Sequence, residues 1–170
     1  MENDKDIDIR KKGRNDMFRE MRRKDRSIDR EQAENILEKG QYGVLSTAGE
    51  NGYAYGVPLN YVYLGGNIYF HCAGEGVKLD NIAHNNKVSF CVVGDTKILA
   101  DQFSCSYESV IVFGKAQEVH DKEKENALTA LINKYSGEFF EKGMEYIKNA
   151  GMNTTVIKIS IEHLTGKARK

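Results

Sequence analysis

Short β-rich runs joined by glycine- and asparagine-containing turns dominate this sequence from Tyr42 to Val119. Turns such as GENG are too short for the crossover that joins two parallel strands, so the runs are typical of antiparallel hairpins. Helical patterns do not alternate regularly with the strands, which argues against a doubly wound parallel sheet. We therefore predict a mainly β fold, an antiparallel barrel of about six strands with appended helices.

Two helices are predicted at the edges of this β region. In the first, Asp29 and Gln32 have capping-box spacing, and Gly40 ends the segment. In the second, over residues 121–137, Asp121 is the predicted N-cap. Helical spacing predicts that the buried faces contain Ala33, Ile36 and Leu37 in the first helix, and Leu128, Leu131, Ile132 and Tyr135 in the second.

Two long strands are predicted in the C-terminal half. The run SCSYESVIVFGKAQEV contains Gly114, which predicts a bulge or bend because glycine inside a strand marks an irregularity. The run TTVIKISIEHLTGK alternates, so Ile157, Ile159 and Ile161 are predicted to share one face.

Length and charge indicate one soluble globular domain. The chain has 170 residues, zero net charge and no apolar run near the roughly 20 residues that span a bilayer. We therefore expect neither nucleic acid nor a membrane as a partner. The N-terminus lacks the apolar region of a signal peptide, and three cysteines without CxxC spacing indicate reduced thiols, so we expect a cytoplasmic protein.

Residues 1–27 are rich in both charge signs and poor in apolar side chains, which predicts a mobile or loosely docked N-terminal arm. Residues 28–170 are predicted to form the folded domain. Within the arm, the run MRRKDR (Met21 to Arg26) is basic. It is either a solvated lead-in to the first helix or a segment that docks against an anion or a partner chain.

The segment HCAGEGVK lies between a predicted strand and a predicted helix. Unpaired backbone N–H groups and the positive end of the helix dipole would converge there. Its glycines permit close approach to the backbone, and Lys78 adds a positive charge. The turn is therefore either a phosphate site or an ordinary glycine turn with a solvated lysine.

His71 and Cys72 are adjacent on the strand before this turn, so their side chains should point to opposite faces. That geometry disfavours a Cys–His nucleophile. The other histidines show no ligand spacing with His71, and no metal site is predicted.

Pro58 is the only proline, and it lies within a predicted strand. Because proline cannot donate to a β ladder, Pro58 marks either a barrel corner or an edge that faces a planar, hydrogen-bonding ligand. Asn60 offers a donor and an acceptor beside it. In the run YESV, Tyr107 and Ser109 share one face of an otherwise ordinary half-buried strand.

Several motifs together resemble a known superfamily. They are, in order, MRRKDR, YGVLSTAGENGYAYGVPLNYVY, IYFHCAGEGVKLDNIAHN, YESVIVFGKA and LTGKAR. This series is similar to the flavin-binding split-barrel superfamily of pyridoxamine 5′-phosphate oxidase, and within it to the nitroimidazole-resistance (Nim-like) group. The resemblance extends from about Met21 to Arg169, and FHxAxxGxK is its most specific part.

The resemblance implies a six-stranded split β-barrel over residues 28–170 and a homodimer with two flavin sites at its interface. It makes Lys78 the phosphate contact and His71 a neighbour of the phosphate end. The other positions that it implies at the cofactor are Pro58, Leu59, Asn60 and Tyr61 along the flavin, Cys72 at the ribityl–phosphate end, the backbone of Ala73, Gly76 and Val77 at the phosphate, and Tyr107 and Ser109 near the site.

The resemblance also implies an FMN-dependent oxidoreductase, with FAD as the alternative cofactor, that passes electrons to a small planar or nitroaromatic acceptor. His71 is the candidate proton donor, or else a structural residue. The oxidase branch uses several arginines around its substrate, and this chain has none between Arg30 and Arg169, which argues against pyridoxamine-phosphate oxidation. The alternatives are a flavin store or redox sensor without turnover, and a barrel that binds heme or a deazaflavin.

Overall fold

The structure is a computed structural model that describes residues 17–150 and 154–169. The described elements are β1 (Ser27–Ile28), α1 (Arg30–Lys39), β2 (Gly43–Ala48), β3 (Ala54–Leu59), β4 (Val62–Leu64), β5 (Asn67–Cys72), α2 (Val77–His84), β6 (Lys87–Leu99), β7 (Ser104–Val119), α3 (Asp121–Ser136), α4 (Phe140–Ala150) and β8 (Thr155–Arg169). Short 3₁₀ turns cover Lys24–Arg26, Ala100–Gln102 and Gly137–Phe139.

The strands form one curled antiparallel sheet in the order β3-β2-β6-β7-β8-β5-β4, and β1 pairs with β8. The predicted mainly β split-barrel fold is confirmed. The long strands β7 and β8 lie in the middle of this order and pair along most of their lengths. They therefore connect the two halves of the barrel.

The strand count differs from the prediction, because the described sheet has eight strands rather than six. One extra strand is the two-residue β1. The other arises because the predicted run YAYGVPLNYVYL divides into β3 and β4 at Asn60–Tyr61. Strand β3 pairs with β2, and β4 pairs with β5, at opposite ends of the strand order. The chain crosses from one edge of the sheet to the other at this break, which alternation in the sequence does not reveal.

Helix α1 covers the concave side of the sheet, and its predicted capping box is present. The Asp29 carboxylate accepts from the Gln32 N–H at 2.8 Å, and the Gln32 side chain accepts from the Asp29 N–H at 3.3 Å. Its three predicted core residues are buried. They pack in a cluster that also contains Leu45, Phe70, Phe90, Val112 and Ile159.

Helix α3 forms at its predicted position, but the predicted N-cap residue is wrong. His120 occupies the N-cap position without a side-chain capping bond, and Asp121 enters the helix with a left-handed φ of 49°. The predicted buried stripe is partly wrong as well. Leu128 and Leu131 are buried, whereas Ile132 is half-buried and Tyr135 is 37% exposed.

The predicted irregularity at Gly114 is confirmed as a register shift between β7 and β8. A Cβ at this position would lie 2.3 Å from the backbone oxygen of Ser160. Real side chains do not tolerate such a contact, so the close approach of the two backbones requires glycine here.

Part of the predicted N-terminal arm, residues 1–16, lies outside the described residues. Within the described part, Phe18 stacks on the His163 ring, with centroids 4.5 Å apart and an interplanar angle of 4°. The residues just before β1 therefore contact the convex side of β8. No helix in residues 17–150 and 154–169 is long and apolar enough to cross a membrane.

Candidate functional site

The turn between β5 and α2 has the geometry expected of an anion site. Gly76 precedes the helix with φ of 127°, and a Cβ there would meet no atom within 4 Å. The N–H groups of Leu79 and Asp80 both donate to the Gly76 carbonyl. The N–H groups of Val77 and Lys78 come earlier in the helix, where no intrahelical acceptor exists. These donors follow directly after the open backbone of Gly76.

Lys78 places its charge on the same side of the turn as Cys72. Burial raises the pKa of the half-buried Cys72 thiol, and the nearby Lys78 ammonium partly opposes this rise. The Glu118 carboxylate acts on the same thiol in the opposite sense and raises its pKa. The Lys78 charge adds to the partial positive charge of the α2 N-terminus.

His71 points away from Cys72, as alternation predicts, because Phe70 and Cys72 face the core while His71 is exposed. The imidazole borders a cleft of about 300 Å³ between β5 and the α3–α4 pair, here called the α3–α4 cleft. Its wall is mostly apolar and includes a few polar side chains. The lining residues are Asn60, His71, Leu128, Leu131, Ile132, Tyr135, Ser136, Tyr146, Ile147 and Thr154.

The segment 58–61 lies where the chain passes from β3 to β4. Pro58 lies on the edge strand β3, opposite Val44 of β2. Proline has no backbone N–H, but on the outer side of an edge strand no neighbouring strand needs that hydrogen bond. Asn60 is exposed, and its amide donates to the Gln41 carbonyl at 2.9 Å. Leu59 is half-buried against the core. Pro58 and Asn60 are therefore accessible, while Leu59 is partly covered.

Tyr61 is fully buried, unlike its neighbours in this segment. Its hydroxyl donates to the Leu37 carbonyl at 2.7 Å, and burial raises its pKa. Its N–H donates to the Tyr135 hydroxyl at 3.1 Å. The resemblance implies that Tyr61 lies along the flavin, but its side chain belongs to the core. Only the Tyr61 backbone lies near the surface of the segment.

Two residues of α3 hold this segment, and the sequence did not single out either for that role. The Tyr135 hydroxyl lies 2.6 Å from the Gln41 oxygen and 2.8 Å from the Tyr61 oxygen, so it can donate to one of them while it accepts from Tyr61 N–H. The Lys134 ammonium lies 4.2 Å from the Tyr61 ring centroid. Its nitrogen is buried with no hydrogen-bond partner among the described residues, and burial lowers its pKa.

Tyr107 and Ser109 lie far from this turn within one protomer. Cys72 pairs opposite Thr155 at the start of β8, whereas Tyr107 pairs opposite Arg169 at its end. Fourteen residues of strand separate these positions, roughly 45 Å of extended chain. One protomer therefore brings together the turn and His71 but not the two β7 residues.

Comparison with known proteins identifies the family of this chain. The sequence profile of the pyridoxamine 5′-phosphate oxidase family matches residues 29–168, nearly the whole described chain. The chain belongs to this family. No curated protein matches it at a significant level.

Solved structures share the fold. A candidate 5-nitroimidazole antibiotic resistance protein from Bacteroides thetaiotaomicron is 27% identical, with 84% of this chain and 86% of that chain covered and a TM-score of 0.72. An FAD-binding protein from Mesorhizobium loti is 21% identical, with 85% and 98% covered and a TM-score of 0.60. An FAD and heme binding protein from Mycobacterium smegmatis is 16% identical, with 84% and 72% covered and a TM-score of 0.68. The last two matches establish the shared architecture.

Proposed function

We propose that this protein binds FMN as a homodimer and is an oxidoreductase that delivers electrons to a small planar or nitroaromatic acceptor. The observation that carries the proposal is the β5–α2 turn, where Lys78 and the first N–H groups of α2 follow the open backbone of Gly76. Such a constellation suits a phosphate. The family match and the likeness to a nitroimidazole-resistance protein support a flavin phosphate as the ligand.

The family resemblance assigns the residues around the turn to the rest of the flavin. Lys78 and the Val77 and Lys78 amides would hold the phosphate. Pro58 and Asn60 would line the ring at the accessible edge of the sheet. Tyr135 keeps that edge in place through Tyr61 and Gln41. When bound, the flavin supplies the electron transfer, and the protein supplies position and hydrogen bonds.

The α3–α4 cleft is the proposed binding site of the acceptor. Its volume of about 300 Å³ and mainly apolar wall suit a small ring. His71 and Ser136 are polar residues of its lining, and the imidazole N–H of His71 can donate to an oxygen of the acceptor. His71 then holds a proton where negative charge develops, which is the role of a general acid.

A second copy of this chain completes the proposed site. Tyr107 and Ser109 cannot reach the turn of their own protomer, but they lie on the convex face of β6, β7 and β8. That face exposes large apolar side chains, among them Val93 (58% exposed) and Ile111 (41% exposed). Exposed apolar surface of this kind is typical of an interface between copies.

One spectrum followed by one reaction tests the function. Purified protein should be yellow with one FMN per chain, lose its colour with NAD(P)H, and regain it with a nitroimidazole. Yellow protein that stays oxidised under both treatments would identify a flavin store or sensor without turnover. A Soret band would identify heme in place of flavin as the cofactor. Protein that takes up no flavin would refute the proposed flavin binding.

A further inference from the structure

Lys134 on α3 carries a buried positive charge without a polar partner. Its Nζ atom is shielded from solvent and forms no hydrogen bond within residues 17–150 and 154–169. None of the ion pairs in that part of the chain includes it, and burial alone accounts for its lowered pKa, with no contribution from a carboxylate. A buried charge without a counter-ion costs free energy, which an apolar side chain of similar length would avoid. Packing alone therefore does not explain a lysine here.

The charge is held against the face of the Tyr61 ring. The Lys134 Nζ atom lies 4.2 Å from the centroid of this ring, a distance typical of a cation–π contact. The ring is fixed in turn, because its hydroxyl donates to the Leu37 carbonyl at 2.7 Å and the Phe90 ring packs against it in a T-shaped arrangement at 5.0 Å. The ammonium group therefore has a defined position in the core.

The same turn of α3 also holds the backbone beside this ring. The Tyr135 hydroxyl lies 3.1 Å from the Tyr61 nitrogen, 2.8 Å from the Tyr61 oxygen and 2.6 Å from the Gln41 oxygen. The Asn60 amide donates to the same Gln41 oxygen. Two neighbouring residues of α3 therefore fix the position of the ammonium group relative to the segment 58–61, one through the Tyr61 ring and the other through the backbone.

A positive charge at this place would act on a flavin ring bound along the segment 58–61. Hydride addition to an oxidised flavin brings two electrons and one proton, so the reduced ring carries one more negative charge than the oxidised ring. A nearby cation stabilises the reduced ring and has little effect on the neutral, oxidised ring. Because the Lys134 nitrogen is shielded from water, its charge is screened less than that of a surface lysine. At about 10 Å and an effective dielectric constant of about 20, Coulomb's law gives a change of roughly tenfold in an equilibrium constant.

We propose that the Lys134 ammonium group raises the reduction potential of the bound flavin, because it stabilises the negatively charged reduced ring at the segment 58–61. This inference rests on the proposed function, in which the flavin ring lies along that segment. The step that it favours is the transfer of a hydride from a reduced nicotinamide nucleotide to the flavin. Lys134 acts on the cofactor through its electric field, from a helix that the family resemblance does not assign to the cofactor.

The midpoint potential of bound FMN, measured by equilibration with a redox dye, tests this role. In Lys134→Met the preference for reduced over oxidised flavin should fall about tenfold, which corresponds to a two-electron potential about 30 mV lower than in the wild type. The affinity for oxidised FMN should stay within about twofold, because the oxidised ring is neutral. Lys134→Gln also removes the charge and replaces Lys134→Met if that variant does not fold, as judged by circular dichroism.

Two further variants show whether the charge itself is responsible. Lys134→Arg retains a cation and should keep the preference for reduced flavin within about twofold of the wild type. Lys122→Met is the matched control on the same helix, because Lys122 is 76% exposed and paired with Glu125 at 2.8 Å. It lies twelve residues, or about 18 Å, from Lys134 along α3 and should leave the potential unchanged.

Thermal unfolding of the flavin-free proteins separates this role from a structural one. Lys134→Met removes a buried, unpaired charge, so its melting temperature should not fall. A lower melting temperature with an unchanged potential would show that Lys134 only anchors α3. The proposal would also be overturned by an equal fall in potential in Lys122→Met, or by a Lys134→Arg variant with the potential of Lys134→Met.

Titration of the wild-type protein with oxidised FMN decides the proposed function separately. If FMN binds and the potential is the same in the wild type and in Lys134→Met, the flavin function stands and the role of Lys134 is refuted. Protein that binds no FMN would refute both. A flavin that is reduced but passes no electrons to a nitroaromatic acceptor leaves the comparison of potentials valid.

Discussion

The two ends of β8 offer positive charge in different ways. Near Thr155, the β5–α2 turn presents backbone N–H groups and one lysine, and its shape depends on Gly76 with φ of 127°. Near Arg169, side chains from three separate segments meet because β7, β8 and the residues before β1 are held in register. The first group of donors is local in sequence, whereas the second group of side chains is brought together only by strand pairing. Substitutions should therefore affect them differently.

Gly114→Ala should have the largest effect, because it disturbs the pairing of β7 with β8, the strand that connects the two ends. The alanine Cβ would lie 2.3 Å from the backbone oxygen of Ser160. The backbone can move away only at a large cost in free energy. Overpacking of this kind costs about 3 kcal/mol, which lowers the melting temperature of a domain this size by roughly 6–12 °C. Thermal unfolding by circular dichroism measures the change.

Gly56→Ala is the control for that prediction, since a Cβ there meets its nearest atom at an ordinary 3.6 Å. Its melting temperature should stay within about 2 °C of the wild type, because a substitution without a clash usually changes stability little. Equal melting temperatures for the two variants would show that β7 and β8 do not approach closely at Gly114.

Lys78→Ala should affect only the turn end. It removes a charge-assisted contact of about 1.5–3 kcal/mol, so the dissociation constant for FMN should rise tenfold or more. Fluorescence titration of flavin-free protein measures it. Lys39→Ala, at the exposed end of α1, should bind FMN as the wild type does. Unchanged affinity in Lys78→Ala would mean that the turn does not hold the phosphate.

Tyr135→Phe should weaken the flavin segment without touching either end of β8. The change leaves the Tyr61 N–H without its acceptor and removes the hydroxyl donor shared by the Gln41 and Tyr61 oxygens, which costs about 1–2 kcal/mol. We expect lower stability in urea and a severalfold weaker affinity for FMN. Tyr146→Phe removes an exposed hydroxyl from the same helical pair and should change neither quantity. If stability falls but FMN affinity does not, Tyr135 stabilises the fold and does not contribute to flavin binding.

The smallest predicted effect concerns the Cys72 thiol. Burial raises its pKa and the Lys78 ammonium lowers it, so Lys78→Ala should raise the pKa further. A higher pKa means less thiolate at a fixed, mildly alkaline pH, and alkylation by iodoacetamide should slow severalfold. Peptide mass spectrometry resolves Cys72 from Cys91, which has no such cation among the causes of its raised pKa and should react at an unchanged rate. Faster alkylation of Cys72 would place Lys78 away from the thiol.

Local patterns predicted those parts of the molecule that depend on neighbours in sequence. The capping box at Asp29 and the opposite faces of His71 and Cys72 agree with the structure because each follows from backbone geometry over a few residues. The irregularity at Gly114 was visible because glycine is unusual inside a long strand. The wrong N-cap prediction at Asp121 also came from a local pattern. An acidic residue at the start of a helix matches the N-cap pattern even when, as here, it is the first helical residue and its neighbour is the N-cap.

Other features could not be predicted from one sequence. The division of a single β-rich run into β3 and β4 depends on which edges those residues pair with. The burial of Tyr61 and the roles of Lys134 and Tyr135 depend on where α3 packs, and helical spacing alone overstated the burial of Tyr135. Nothing in the spacing of these residues could have signalled their contacts.

The sequence by itself determined a mainly antiparallel barrel of hairpins and the glycine turn before Lys78, which follow from periodicity, turn chemistry and short-range geometry. The split barrel and the family were implied by the resemblance of its motifs. Only the tertiary structure decided that His71 borders the α3–α4 cleft, that Tyr107 lies at the far end of β8, and that Arg26 reaches it there. The physical reason is that strand pairing joins residues distant in sequence, and the register that does so is set by the packing of the whole sheet.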